Sequence, residues 1–304
     1  KRLPEDTYKV QNRGGKGITA LTTREEDFVK DLFITSTHDY LLFITNKGKM
    51  YRIKAYEVPE ARRQAKGTAA INLIHIETDE KIRAIIPIRD FNDDEFLIFA
   101  TKKGIIKKTK LNEFDTSRKT GLVAIKIADD DELISVNKTD GTKDIFIVTK
   151  YGKGIRFNEN DVRDMGRNTM GVKAITTSDD DELVSMSIIK QSEENKYILT
   201  ITENGYGKIT VSSEYRCQNR GGKGMKAHNI NDKTGPIVGS LIVEKEDDIM
   251  LLSVNGSIIR MRATDISIMG RDTQGVIAMR LNNDDKVASI AKIYSEEEIE
   301  TEEE

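Results

Sequence analysis

The sequence predicts an all-β chain folded as a propeller-like array of six units, about four strands to a unit, with its two ends meeting to close the ring. Three observations carry this reading. The heptad Gln11-Asn12-Arg13-Gly14-Gly15-Lys16-Gly17 recurs unchanged as Gln218-Asn219-Arg220-Gly221-Gly222-Lys223-Gly224, with decayed copies between and after the two. Anchored on the last glycine of each copy, the series Gly17, Gly67, Gly121, Gly171, Gly224 and Gly275 advances by 50, 54, 50, 53 and 51 residues, the period of a repeat architecture. Within each step, short runs rich in Ile, Val, Phe and Thr recur, and no stretch sustains a 3.6-residue period.

Each unit opens on a strand. The runs 31–34, Tyr40–Thr45, Phe96–Thr101, 144–149, 196–202 and 248–254 are short, β-branched or aromatic, and most lead into a Gly, Asn or Asp turn. Hairpin turns follow at Gly48, Gly104, Gly152, Gly205 and Gly256, each leading to a second strand of alternating basic and apolar residues. Six boxes and five turns leave one turn missing. Lys1-Arg2-Leu3 aligns with the strand after each turn, for example Ile259-Arg260-Met261, so the sixth turn is expected just upstream of residue 1. With no initiator Met, the chain reads as a piece of a longer polypeptide. After the second strand come an irregular segment, the box, a further strand, an acidic turn and a closing strand. The last closing strand, Val287–Ile293, is expected to take residues 1–10 as partners, uniting the termini. Residues 1–294 thus form one domain, and 295–304 an acidic, disordered tail.

Composition narrows the function classes. With 37% hydrophobic and 33% charged residues the chain folds as a globular protein, and no apolar run approaches a bilayer span, so no membrane partner is expected. A single cysteine, Cys217, excludes an internal disulfide framework and fits a reducing cytoplasm. Setting aside the seven glutamates of 295–304 turns the net charge of −3 into +4. The remaining acid collects in the turns 129–132, 179–182 and 282–285, which read as solvated, while Lys and Arg gather at the boxes and on the strands after the glycine turns. One basic and one acidic edge follow if all units fold alike. No catalytic set is present. His38, His75 and His228 are isolated from one another and from cysteine, and the acidic turns lack the spacing of a calcium loop, so no metal is expected.

The box itself has the chemistry of an anion site. Adjacent glycines let backbone N–H groups face an anion, Arg adds a planar fork and Lys a point charge. A nucleotide-binding P-loop is excluded, because Lys16 is followed by Gly17-Ile18 with no hydroxyl and no helix. A peptide-binding propeller lacks support as well, since there is no Trp and hence no Trp-Asp blade dipeptide.

The two heptads, the degenerate copies at about fifty-residue spacing, the basic strand after each turn and the acidic tail together resemble the C-terminal domain of the DNA gyrase A subunit, whose signature is the gyrase A box. The resemblance covers essentially the whole chain. It implies a six-bladed β-pinwheel whose blades exchange a strand and whose perimeter wraps double-stranded DNA, with the box 11–17 at the seam of first and last blades. It implies that this chain cleaves nothing: the strand-cleaving tyrosine, ATP and Mg act elsewhere in the parent enzyme. Partners would be duplex DNA, the remainder of gyrase A, and gyrase B, in the nucleoid-bearing cytoplasm. The related domain of topoisomerase IV is the alternative, against which two intact boxes argue.

Wrapping needs cations spread around a circumference, because bending a duplex that far costs on the order of ten kcal/mol. Besides both heptads, the expected rim comprises Arg62, Arg63, Lys66, Lys102, Lys103, Lys107, Lys108, Arg118, Lys119, Lys153, Arg156, Arg167, Lys208, Lys226, Arg260, Arg262 and Arg271. With aromatics at 6%, base stacking on single strands is not the expected mode. Backbone contact with little base readout and steep salt dependence is.

Overall fold

A computed structural model describes residues 1–3, 33, 35–62, 65–116, 118, 121–191, 196–282 and 284–293. The first heptad 11–17, Arg63, Lys119 and the acidic tail lie outside these residues.

Hairpins set the frame. The first described unit gives β1 (Tyr40–Thr45), β2 (Lys49–Lys54) and β3 (Ile82–Ile88); the second gives β4 (Phe96–Thr101), β5 (Ile105–Lys110), β6 (Leu122–Val123) and β7 (Leu133–Thr139). The third contains β8 (Lys143–Thr149), β9 (Lys153–Asn158), β10 (Val172–Lys173) and β11 (Leu183–Lys190). The fourth contains β12 (Tyr197–Thr202), β13 (Tyr206–Val211), β14 (Met225–Lys226) and β15 (Ile237–Val243). The last contains β16 (Asp248–Ser253), β17 (Ile258–Arg262), β18 (Val276–Ile277) and β19 (Val287–Ile293). At the first turn, Gly48 sits at φ 73° and its N–H closes onto the Thr45 carbonyl at 3.0 Å, the left-handed position that lets the chain reverse in three residues.

These strands assemble into five antiparallel sheets: β3-β1-β2-β6, β10-β5-β4-β7, β11-β8-β9-β14, β15-β12-β13-β18 and the three-stranded β17-β16-β19. The expected six blades therefore appear as five among the described residues. The outermost strand of each four-stranded sheet belongs to the following unit. It is the two-residue strand directly after a box, paired as Met50↔Leu122, Ile106↔Val172, Gly154↔Met225 and Gly207↔Val276. Sequence unit and blade are thus out of step by one strand.

The last glycine of the box makes this crossing. Gly171, Gly224 and Gly275 have φ of 109°, 66° and 78°. A Cβ on them would lie 2.5 to 2.6 Å from the carbonyl oxygens of Ile106, Gly154 and Gly207 on the strands they cross. At these three positions a side chain would be strained and would collide with the crossed strand, which accounts for the glycine there.

Strands β3, β7, β11, β15 and β19 pack one against the next, and the apolar clusters lie between successive sheets. One cluster joins Leu97 and Phe99 of β4 to Leu42 and Ile44 of β1. Another joins Ile98 and Ile106 to Ile145 and Ile155 across the next boundary.

Strand β19 pairs with β16 of its own unit, and residues 4–10, expected to complete that blade, lie outside the described residues. Arg2 forms a parallel bridge to Glu60, as Lys108 does to Asp164 and Arg156 to Cys217. Lys1-Arg2-Leu3 thus occupies the place of a second hairpin strand beside the box at 62–67, as its alignment required. The acidic turns are more than solvated charge. Asp181 accepts from Thr149 Oγ1 at 2.7 Å and from the N–H groups of Tyr151 and Glu182 at 2.9 and 3.0 Å, capping the adjacent hairpin. Asp131 and Asp285 accept from the equivalent backbone donors, and Glu80 ties Thr45 to the Tyr51 hydroxyl. Asp181→Ala is expected to cost about 2 kcal/mol, since buried donors lose their acceptor, and an unchanged melting temperature would refute the capping role.

Candidate nucleic-acid interface

The described heptad 218–224 is laid across the edge of the β11-β8-β9-β14 sheet. Its loop is stitched to elements that precede it. Gln218 N–H donates to the Arg156 carbonyl at 2.9 Å, and Gly221 N–H to the Ala174 carbonyl at 2.8 Å. Thr176 donates to the loop through both its N–H, onto Gly222, and its hydroxyl, onto Gly221. These bonds divide the heptad's side chains by task. Arg220 turns back, donating from Nε to the Asp161 carbonyl at 2.9 Å and from Nη1 to the Lys173 carbonyl. Asn219 and Lys223 face solvent.

Other copies repeat the arrangement. Arg271 donates from Nη1 to the Lys226 carbonyl at 3.2 Å, and its N–H reaches Glu214 Oε2 at 3.0 Å. Arg167 lies 4.0 Å from Glu113. The box arginine therefore ties its loop to the preceding blade, a role the linear sequence did not disclose.

Uncompensated charge lies beside the heptad. In the β9–β14 pair, Lys153 stands directly opposite Lys226, and both are exposed. Among the described residues neither has a carboxylate partner, nor does Lys223. Like charges at directly opposed positions destabilise a sheet. Lys173 occupies on β10 the position Lys226 holds on β14, two residues past the box glycine, and is also exposed. Sequence reasoning missed Lys173, although aligning the copies on that glycine would have found it.

The rest of the expected rim divides. Arg62, Lys66, Arg118 and Arg262 are exposed. Arg260 is exposed but ion-paired with Asp248, and Arg156 is half-buried with Nε 2.8 Å from Asp144. Lys102 and Lys103 sit at the hairpin end among the acidic turns, paired with Glu182 at 3.4 Å and with Asp130. Lys107, Lys108 and Lys208 are not on the surface at all. Lys108 lies 3.5 Å from Asp164, while Lys107 and Lys208 point under the box loops 166–171 and 270–275. Both faces of these second strands are covered, one by the neighbouring core and one by the next unit's loop, so alternation along the strand does not separate inside from outside. Among the described residues, no three His, Cys, Asp or Glu side chains gather to hold a metal ion, and no helix is long and apolar enough to cross a membrane.

The family model described as "DNA gyrase C-terminal domain, beta-propeller" matches residues 1–36, 39–89, 95–140, 143–190, 196–244 and 247–293. The chain is 50% identical over 297 residues to gyrase A of Clostridium acetobutylicum, covering 98% of this chain and 35% of that protein. It spans about a third of the length of the curated relatives it matches. Among solved structures, a DNA gyrase A C-terminal domain aligns with TM-score 0.74 and 31% identity over 97% of this chain and 96% of that one. The C-terminal domain of a DNA topoisomerase IV aligns with TM-score 0.85 and 26% identity over 94% and 90%. With one matched segment for each unit of the repeat, and the box loops and exchanged strands in place, the chain belongs to the family of DNA gyrase C-terminal domains.

Proposed function

We propose that this chain binds double-stranded DNA through its phosphate backbone and bends it around a basic perimeter, giving handedness to strand passage by an ATP-dependent type II topoisomerase. Its partners are then the rest of gyrase A together with gyrase B, in the nucleoid-bearing cytoplasm, and cleavage and ATP hydrolysis reside outside this chain. The observation that carries the reading is the opposed pair Lys153 and Lys226 beside the heptad 218–224. Two exposed ammonium groups held together without a carboxylate are explained by an anion that bridges them, and a duplex offers one negative charge per roughly 1.7 Å of axis.

The same reading completes the ring. Ile18-Thr19 follows Gly17 as Met225-Lys226 follows Gly224, and β17 is the only second hairpin strand among the described sheets whose outer edge has no exchanged partner there. An exchanged strand supplied to that edge would complete a fifth four-stranded blade, and the sixth blade of this reading would be built on the second hairpin strand begun at residues 1–3, with the heptad 11–17 at the seam.

Ligation of nicked circles in the presence of the chain tests wrapping, with a shift in linking number as the expected result. Charge reversal at Arg13 and Lys16 is expected to reduce that shift more than reversal at Arg167, and equal losses would refute a special role for the intact heptad. The closer fold match of the two solved structures is the topoisomerase IV domain, which favours a second reading, a topoisomerase IV-type C-terminal domain. Binding in a gel shift with no change in linking number would select it.

A further inference from the structure

The box loops rest on two different foundations. The third residue of three second hairpin strands lies beneath the loop of the following box: Lys107 in β5, Ile155 in β9 and Lys208 in β13. Under the intact heptad the foundation is apolar, with Ile155 Cδ1 3.8 Å from where a Gly222 Cβ would sit. Under the decayed loops 166–171 and 270–275 it is a buried ammonium. Lys107 Nζ donates to the carbonyls of Arg167 at 2.5 Å and Ala124 at 2.7 Å. Lys208 Nζ donates to the carbonyls of Gly270 at 2.8 Å and Arg271 at 2.6 Å, and reaches Thr273 Oγ1 at 3.4 Å.

Both lysines are fully buried, and among the described residues neither is within ion-pair distance of a carboxylate. A buried charge without a counter-charge is expensive, so an apolar residue of similar volume would make the better core. Ile155 shows that the fold accepts one at this position.

We propose that Lys107 and Lys208 are positioning residues for the DNA backbone. Each ammonium draws its loop's carbonyls inward and places a positive charge behind the loop, so that a phosphate on the outer side of 166–171 or 270–275 is held from within. The inference rests on the perimeter being a DNA interface. It gives these two decayed loops a cation that the intact heptad supplies from in front, through Lys223.

The linkage to protons follows. Burial pulls Lys107 down to about 7 and Lys208 to about 8. Arg167 lowers Lys107 further while Glu113 opposes it. Around Lys208, Asp272 and Glu214 raise the value, and Arg271 and Lys226 lower it. His228, bonded to Thr200 and the Gln274 carbonyl, is held down near 4 and stays neutral. With folded values below the ordinary 10.5, the unfolded chain binds more protons between about pH 7 and pH 10, so free-protein stability rises with pH. A phosphate at the loop favours the ammonium, so DNA affinity must fall over that same range.

The test compares affinity for linear duplex at about pH 6.5 and about pH 9 in wild type and in the Lys107→Met, Lys208→Met double variant. Wild-type affinity is expected to drop on the order of tenfold, and the variant's to change less than about twofold. An equal drop in both overturns the proposal. Calorimetric titration of wild type with duplex at about pH 8, in two buffers of different ionisation enthalpy, needs no variant: proton uptake is expected, and buffer-independent heats overturn the proposal even if the double variant does not fold. If wild type binds no duplex at either pH, the reading of the perimeter fails and carries this inference with it.

Discussion

Replacing Lys153 and Lys226 together by glutamine is expected to lower affinity for duplex DNA by about two orders of magnitude near 0.1 M salt. The estimate follows from counterion release, in which each neutralised phosphate contributes about 0.9 to the log–log salt slope and hence about a factor of ten at that concentration. The slope itself should flatten by about two. Fold stability should move the other way, by a few tenths of a kcal/mol, because two like charges facing each other across β9 and β14 are removed. That opposition makes the experiment specific. A general surface effect lowers affinity and leaves the slope alone, and a structural effect lowers both affinity and melting temperature. An unchanged salt slope places these lysines outside the interface.

Gly224→Ala is expected to be the most damaging single change in the heptad. At φ 66° an alanine already costs about 1 kcal/mol, and its methyl would sit 2.6 Å from the Gly154 carbonyl oxygen, an atom fixed by the exchanged strand β14. Relief requires moving the crossing itself, so the total should be about 3 kcal/mol or more, read as a fall of several degrees in melting temperature. Gly222→Ala is the control. Its φ is ordinary and its nearest neighbour, the Asn219 carbonyl, would be 3.4 Å away, so it should cost less than about 1 kcal/mol. Equal destabilisation by the two substitutions would show that the crossing is not what the last glycine serves.

Much of the fold was legible because its strands end where glycine forces them to. The boundaries of β1 and β4 coincide with runs of β-branched and aromatic residues that stop at a turn, and the fifty-residue period set their phase. The exchanged strands were not readable in the same way. A two-residue strand such as Val172–Lys173 has no period, and its partner lies in another unit. The site was legible in its outline and misleading in its charges. Lys223, Lys153 and Lys226 stand outward as the clustering of cations implied. Lys107 and Lys208 look identical to them in sequence, yet each is the third residue of its strand, where the next unit's loop closes over it. Arg220 and Arg271 have the sequence context of phosphate forks, yet they are engaged with carbonyls of the preceding blade. Charge pattern gives the sum of cations at an edge, and only the neighbouring unit decides which of them reach solvent.

The displaced register between unit and blade has a consequence for how such a chain can be cut or joined. Any contiguous run of units carries a bare sheet edge at one end and an orphaned donor strand at the other, and the two are complementary. If the run is long enough to curve back on itself, donor meets edge within one molecule and the ring is sealed. If it is too short, the same complementarity links tail to head between molecules and has no natural stopping point, because a heterologous joint that fails to close grows into a filament. If the ring closes as proposed, excising one unit therefore should leave each remaining blade intact and yet turn closure within one molecule into head-to-tail joining between molecules.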